Sequence, residues 1–196
     1  MPNAKSTLLK ASNLSHGPIQ QITHDWSAGV HWICGDEGTG KTTLLRLLAG
    51  VLQPTHGTVR LPEGGVCWVD LQDTAHNTTT VQACWDALRV ENPKWNEALL
   101  HDLAEALDMQ QHLEKQLRML SAGSRRKVMI LAALASGATV TLIDQPFAAL
   151  DLASIEVLKE FLCEAAAHPS RAWIVADYEA PSDVPLASVL NLDALR

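Results

Sequence analysis

Hydrophobic and polar positions change their period several times along this chain, and each change marks an element. Thr7-Leu8-Leu9-Lys10-Ala11 and Ile22-Thr23-His24-Asp25-Trp26 read as strands, separated by the turn-forming Ser15-His16-Gly17-Pro18. Val30-His31-Trp32-Ile33-Cys34 is an apolar run suited to a buried strand, and Thr43 to Ala49 is a helix-forming run closed by Gly50. Farther on, Gly57 to Leu61 and Val66 to Val69 flank Pro62-Glu63-Gly64-Gly65, a hairpin signal. A helical section follows, in which Leu99, Leu100, Leu103 and Leu107 recur at helical spacing while Glu97, His101, Asp102 and Glu105 fall mostly on the other face. The chain then alternates: helix from Ser121 to Ala135, strand from Val140 to Ile143, helix from Leu152 to Ala167, strand from Trp173 to Ala176. This alternation predicts an α/β fold, with a mostly parallel sheet between helices on both faces and a small β-rich part at the start.

The turn between the first apolar run and the first helix carries the chemistry. Gly35-Asp36-Glu37-Gly38-Thr39-Gly40-Lys41-Thr42 fits the pattern G-x-x-x-x-G-K-[ST] in its required context of strand, loop and helix, with Thr43 next in the helix. Glycine lets the backbone approach an anion closely, so successive N–H groups and the helix N-terminus can point at phosphate oxygens. Lys41 would add charge at the outer phosphates, and the Thr42 hydroxyl would help hold Mg²⁺. The plainer interpretation, a glycine-rich turn before a core helix, does not require the Lys and Thr.

Composition restricts the partners. At 196 residues the chain is long enough for one domain with a sizeable core, and a net charge of −7 argues against a nucleic-acid-binding face. The one basic cluster, Arg125-Arg126-Lys127, is short. Val128 to Ile143, the most apolar stretch, is too short to span a bilayer and is interrupted by Ser136-Gly137, so any membrane connection is expected through another chain. No signal peptide is evident, and Cys34, Cys67, Cys84 and Cys163 lack C-x-x-C spacing; they read as reduced thiols of a cytoplasmic protein. His24, His76, His101 and His112 lack metal-ligand spacing and read as surface residues.

Two later segments narrow the choice among nucleotide-binding proteins. Val140-Thr141-Leu142-Ile143-Asp144 is an apolar strand ending in an acid, which places a carboxylate near Mg²⁺ at the sheet edge. Leu120-Ser121-Ala122-Gly123-Ser124 opens a helix with Ser121 as N-cap. Taken singly, these are an ordinary strand end and an ordinary cap. Together, GDEGTGKTT, LSAGS, VTLIDQP and AALD (Ala148 to Asp151) resemble the ATP-binding cassette (ABC) family, and LSAGSRRKV and LIDQPFAALD are similar to the ATPase of cytochrome c maturation heme exporters.

The resemblance implies a P-loop ATPase of 1–196, with a helical lobe of about residues 75 to 130 inserted in the ATP-binding core and a small antiparallel β-subdomain. It implies ATP and Mg²⁺ as cofactors, and a second cassette, the same or a different one, whose Ser121 and Gly123 meet the γ-phosphate held by Gly35 to Thr43 of the first. It also implies a separate transmembrane permease as partner. Several positions depart from the family's pattern. Gln145 stands where Glu usually follows the acidic strand, and Asp177 where a His is usual, so slow turnover is expected, with a cassette that binds ATP but hardly hydrolyses it as the alternative. His16 stands near the adenine-stacking position, and Gln72, 31 positions after Lys41, is the candidate to join the Mg²⁺ site to the helical lobe. Trp85 and Trp95 lie in a largely polar helical pattern and are expected to face the membrane partner, or else to fill the lobe's own core.

Overall fold

Strands buried on both faces form the centre of one sheet, and strands with a wet face form another. The computed structural model describes residues 6–71 and 75–195. The order of elements is β1 (Leu9–His16), β2 (Ile19–Trp26), β3 (Gly29–Cys34), α1 (Lys41–Leu48), β4 (His56–Arg60), β5 (Val66–Trp68), α2 (Val81–Glu91), α3 (Glu97–Ala106), α4 (Ala122–Ala135), β6 (Val140–Asp144), α5 (Leu152–Ala165), β7 (Ala172–Asp177) and β8 (Ser188–Asn191). A five-stranded sheet runs β5-β6-β7-β3-β8, with every pairing parallel, and an antiparallel sheet runs β2-β1-β4.

Period-two alternation assigns the two faces of the parallel sheet. Ile33, Leu142 and Ile174 point toward α1 and the antiparallel sheet, in a core completed by Leu9, Leu14, Ile19 and Trp26. Trp32, Ile143 and Val175 point the other way, into the core formed with the helical section and α5. Gly40 holds the turn into α1: its φ of 100° is left-handed, and a Cβ there would stand 2.8 Å from Ile19 Cδ1 and 2.9 Å from Pro18 Cγ. The β1–β2 turn thereby packs directly against the phosphate loop.

Several expectations are corrected. Strands β1 and β2 extend to within two residues of each other, longer than their apolar runs suggest, because bulges at Asn13 and Gln21 absorb the register and Thr23 and Ser15 hydroxyls accept the displaced backbone N–H bonds. The segments on either side of Pro62 to Gly65 do not form a hairpin. Strand β4 pairs with β1, whereas β5 crosses to the other sheet and pairs with β6. A turn signal fixes only the turn; the buried parallel edge offered by β6 decides the partner. Strand β8 escaped the sequence pattern because its four residues alternate between half-buried and exposed. His24 is half-buried: its ring packs at a tilt against Trp26, centroids 4.7 Å apart, and its Nε2 meets Ser188 Oγ at 3.2 Å. The cysteines remain thiols, with Cys34, Cys67 and Cys84 buried.

Of the two places open to Trp85, the structure shows the interior. Trp85 is only 3% exposed, and its indole N–H donates to the Val128 carbonyl at 2.9 Å, so it joins α2 to α4 instead of presenting a docking ring. Trp95 is half-buried, its N–H donating to Glu97 at 3.0 Å. Trp85→Ala should lower the unfolding free energy by about 3–5 kcal/mol, and Trp85→Phe, which keeps most of the ring volume, by about 1 kcal/mol. Urea denaturation checks both; a loss under about 0.5 kcal/mol for the alanine variant would fit a surface ring instead.

Candidate functional site

Parallel register brings three chain segments to one edge of the sheet. Cys34 aligns with Asp177, and Asp144 with Ala176, so the phosphate loop after β3, the acid ending β6 and the acid ending β7 emerge side by side. Thr42, in the first turn of α1, donates its hydroxyl to Asp144 Oδ2. Lys41 is buried and its ammonium donates to the carbonyls of Gly35 and Asp36, the latter at 2.9 Å. A ring covers the ammonium as well: the Tyr178 centroid lies 4.6 Å from Lys41 Nζ.

Two cavities adjoin here. An open cleft of about 490 Å³ is lined by Gly38, Gly40, Lys41, Thr42 and Thr43, together with Pro18, Glu37, Gln145 and Tyr178. A smaller cavity of about 160 Å³ lies against Asp144, with Arg46, Asp70 and Arg126 among its walls. Thr42 and Gln145 border both. Asp144 borders the smaller one, and its Oδ1 is buried without a hydrogen-bond partner. An orphaned carboxylate oxygen beside a hydroxyl is a donor set that fits a hard cation such as Mg²⁺, and the cleft beside it, with Lys41 in its wall, fits a phosphate chain.

Other anticipated residues take different places. The Asp36 N–H is engaged by the Asp193 carboxylate at 3.1 Å, so it anchors the loop to the segment after β8. Thr39 is buried and donates to the Asp36 carbonyl. His16 lines neither cavity; Pro18, two residues later, does. Ser121 caps α4, its Oγ accepting from Ser124 N at 3.1 Å, and Ser121 and Gly123 also line neither cavity. Gly123 instead abuts the loop after β6, where a Cβ would stand 2.5 Å from the Ala149 carbonyl oxygen. That loop ends in Asp151, which caps α5; hydrogen bonds from the Ser154 backbone and hydroxyl, then Lys127, bring its carboxyl to about 2. Gln72 lies outside the described residues.

Two functional candidates were missed in the sequence. Arg126, within the short basic cluster, turns inward and donates to the Gln145 carbonyl at 2.8 Å and the Asp144 carbonyl at 3.3 Å, bracing a strand end where Gln145 has a φ of 48°. Its helical position one turn past the Ser121 cap was the available signal. Tyr178 carries no motif of its own; its place directly after a parallel strand is the available signal that it lies at the site edge. Asp177 itself turns back, accepting from Tyr178 N at 2.8 Å.

Burial pushes the Asp144 carboxyl up from its ordinary value, with Thr42, Lys41 and Arg126 acting against it; burial also raises Asp177, opposed first by the Tyr178 N–H. A carboxyl that titrates higher in the folded chain holds more protons there, so its contribution to stability is lost as pH rises through the interval above the ordinary value. In metal-free buffer, Asp144→Asn should therefore stabilise the empty protein at neutral pH by about 1 kcal/mol and weaken the fall in stability between mildly acidic and neutral pH. Thermal unfolding across that range checks it; a destabilised variant at neutral pH would show that the charge is well compensated.

Comparison with known proteins agrees with this geometry. Residues 19–148 match the family described as ABC transporter. The chain is 34% identical over 130 residues to the cytochrome c biogenesis ATP-binding export protein CcmA of Gluconobacter oxydans, which covers 64% of this chain but only 57% of that protein. With the taurine import ATP-binding protein TauB of Pseudomonas entomophila it shares 28% identity, covering 97% and 74%. Among solved structures, an ABC transporter ATP-binding protein of Pyrococcus furiosus superposes with a TM-score of 0.78 at 25% identity, covering 95% of this chain and 98% of that one. Strand order, phosphate loop, acidic strand and these likenesses agree, and the chain belongs to the ABC transporter family.

Proposed function

We propose that this chain is the ATP-binding subunit of an ABC transporter, binding Mg-ATP at the sheet edge and passing the resulting movement to a separate membrane protein. The observation that carries the reading is the Thr42–Asp144 contact beside buried Lys41, with one Asp144 oxygen left unpartnered. Membership of the family implies ATP hydrolysis. No helix of the described residues is long and apolar enough to cross a membrane, which suits coupling through a partner. The relatives are named for export and for import, which suits a role in transport.

In this reading Gly35 to Gly40 present backbone around the phosphates, Lys41 neutralises the outer ones, and Thr42 and Asp144 hold the cation, with Gln72 as the further candidate. Mg²⁺ when bound supplies charge neutralisation at the phosphate oxygens. Gln145, bordering both cavities, orients the attacking water; its amide is neutral and makes a poor proton acceptor. Asp177 lies within electrostatic reach of Lys41 and Asp144 and adds negative charge to the same field, so turnover is slow. Ser121 and Gly123, which line neither cavity of their own chain, serve the nucleotide of a second cassette.

Saturating Mg-ATP should raise the melting temperature, because a ligand of the native state shifts the unfolding equilibrium, and Lys41→Ala should remove most of that rise. Absence of a shift, with calorimetry also silent, would remove the reading. Gln145→Glu should accelerate phosphate release, toward the 10²- to 10⁴-fold that a positioned general base contributes. Brisk wild-type hydrolysis, lost in Lys41→Ala but unchanged in Gln145→Glu, would assign the base elsewhere.

A further inference from the structure

Lys41 presents three N–H donors, of which the Gly35 and Asp36 carbonyls take two directions, and the Tyr178 ring lies over the ammonium at 4.6 Å. An outer phosphate reaching Lys41 must therefore compete with the negative face of that ring for the same ammonium. Tyr178 follows directly on β7, whose last residue Asp177 accepts the Tyr178 N–H at 2.8 Å, so its backbone is tethered while its side chain, 50% exposed, has room to swing. Displaced from the ammonium, the ring stays at the wall of the cleft it already lines with Gly38, Gly40, Lys41, Thr42, Thr43 and Gln145. A phenol is a donor without charge, and beside a terminal phosphate it has what the Asp177 carboxylate lacks.

We propose that Tyr178, and not Asp177, is the residue that reads the terminal phosphate: its ring covers Lys41 in the empty site, and its hydroxyl donates to the outermost phosphate of a bound nucleoside triphosphate. This rests on the nucleotide-binding reading above. A nucleoside diphosphate ends one phosphate short and does not engage the hydroxyl, so Tyr178 is a specificity-determining residue for tri- over diphosphate. The half-exposed side chain supports no core, which makes the substitution a clean one.

The test is calorimetric titration of wild type, Tyr178→Phe and Tyr178→Ala with Mg-ATP and with Mg-ADP, each variant's fold being checked by its melting curve. Tyr178→Phe keeps the ring over Lys41 and loses only the donor. Its Mg-ATP affinity should fall about ten- to hundredfold, the range for a hydrogen bond to a charged group, while its Mg-ADP affinity stays within about twofold of wild type. Tyr178→Ala should lose the same preference for ATP without binding ADP more weakly. An unchanged ATP-to-ADP ratio in Tyr178→Phe overturns the proposal, as does an equal loss for both nucleotides, which would indicate packing alone. Failure of the wild-type protein to bind either nucleotide is a separate result and overturns the underlying reading together with this one.

Discussion

The Thr42 hydroxyl can reach the Asp144 carboxylate only because β3, β7 and β6 run parallel and end at one edge. That contact joins residues 102 positions apart, and the candidate site is arranged around it. The phosphate loop needs β3 to deliver it and α1 to receive it; the acid needs β6 buried between β5 and β7. Gly40 lets the loop turn under Pro18 and Ile19, which fixes the antiparallel sheet to the same edge. Arg126 ties α4 to the carbonyls of Asp144 and Gln145, so the helical section is joined to the acidic strand end through this one side chain.

Burial of charge at this edge works against stability. Asp144 and Asp177 both have carboxyls raised by desolvation, and Asp144 keeps one oxygen without a partner. Buried polar groups are normally satisfied, so this orphaned oxygen beside the cleft is a cost that the empty chain carries. The rest of the fold offsets this with two apolar cores, one on each face of the parallel sheet. Stabilising the empty chain and binding the cation thus pull in opposite directions at a single residue.

Much of this was legible in the chain itself, for physical reasons that also explain the omissions. Lys41, Thr42 and Asp144 could be read because their chemistry depends on local context: a glycine turn between strand and helix, and an acid at the end of an apolar run. Strands β6 and β7 and helices α4 and α5 follow from periodicity, since burial imposes it. Pairing is a long-range property, and so Pro62 to Gly65 suggested a hairpin where β4 and β5 enter different sheets. Side-chain direction is equally hidden: nothing local turns Trp85 inward onto Val128, aims Arg126 at strand-end carbonyls, or swings Tyr178 over Lys41 while Asp177 folds back. Those choices depend on neighbours that sequence order does not bring together.

The central claim is that Thr42 and Asp144 form a cation site completed by a nucleotide. Electron paramagnetic resonance with Mn²⁺ in place of Mg²⁺ tests it most directly. The account predicts protein-bound Mn²⁺ that requires ATP in the wild-type protein and is strongly reduced in Thr42→Ala. Bound Mn²⁺ that is indifferent to ATP, or that survives the loss of the Thr42 hydroxyl unchanged, would contradict it.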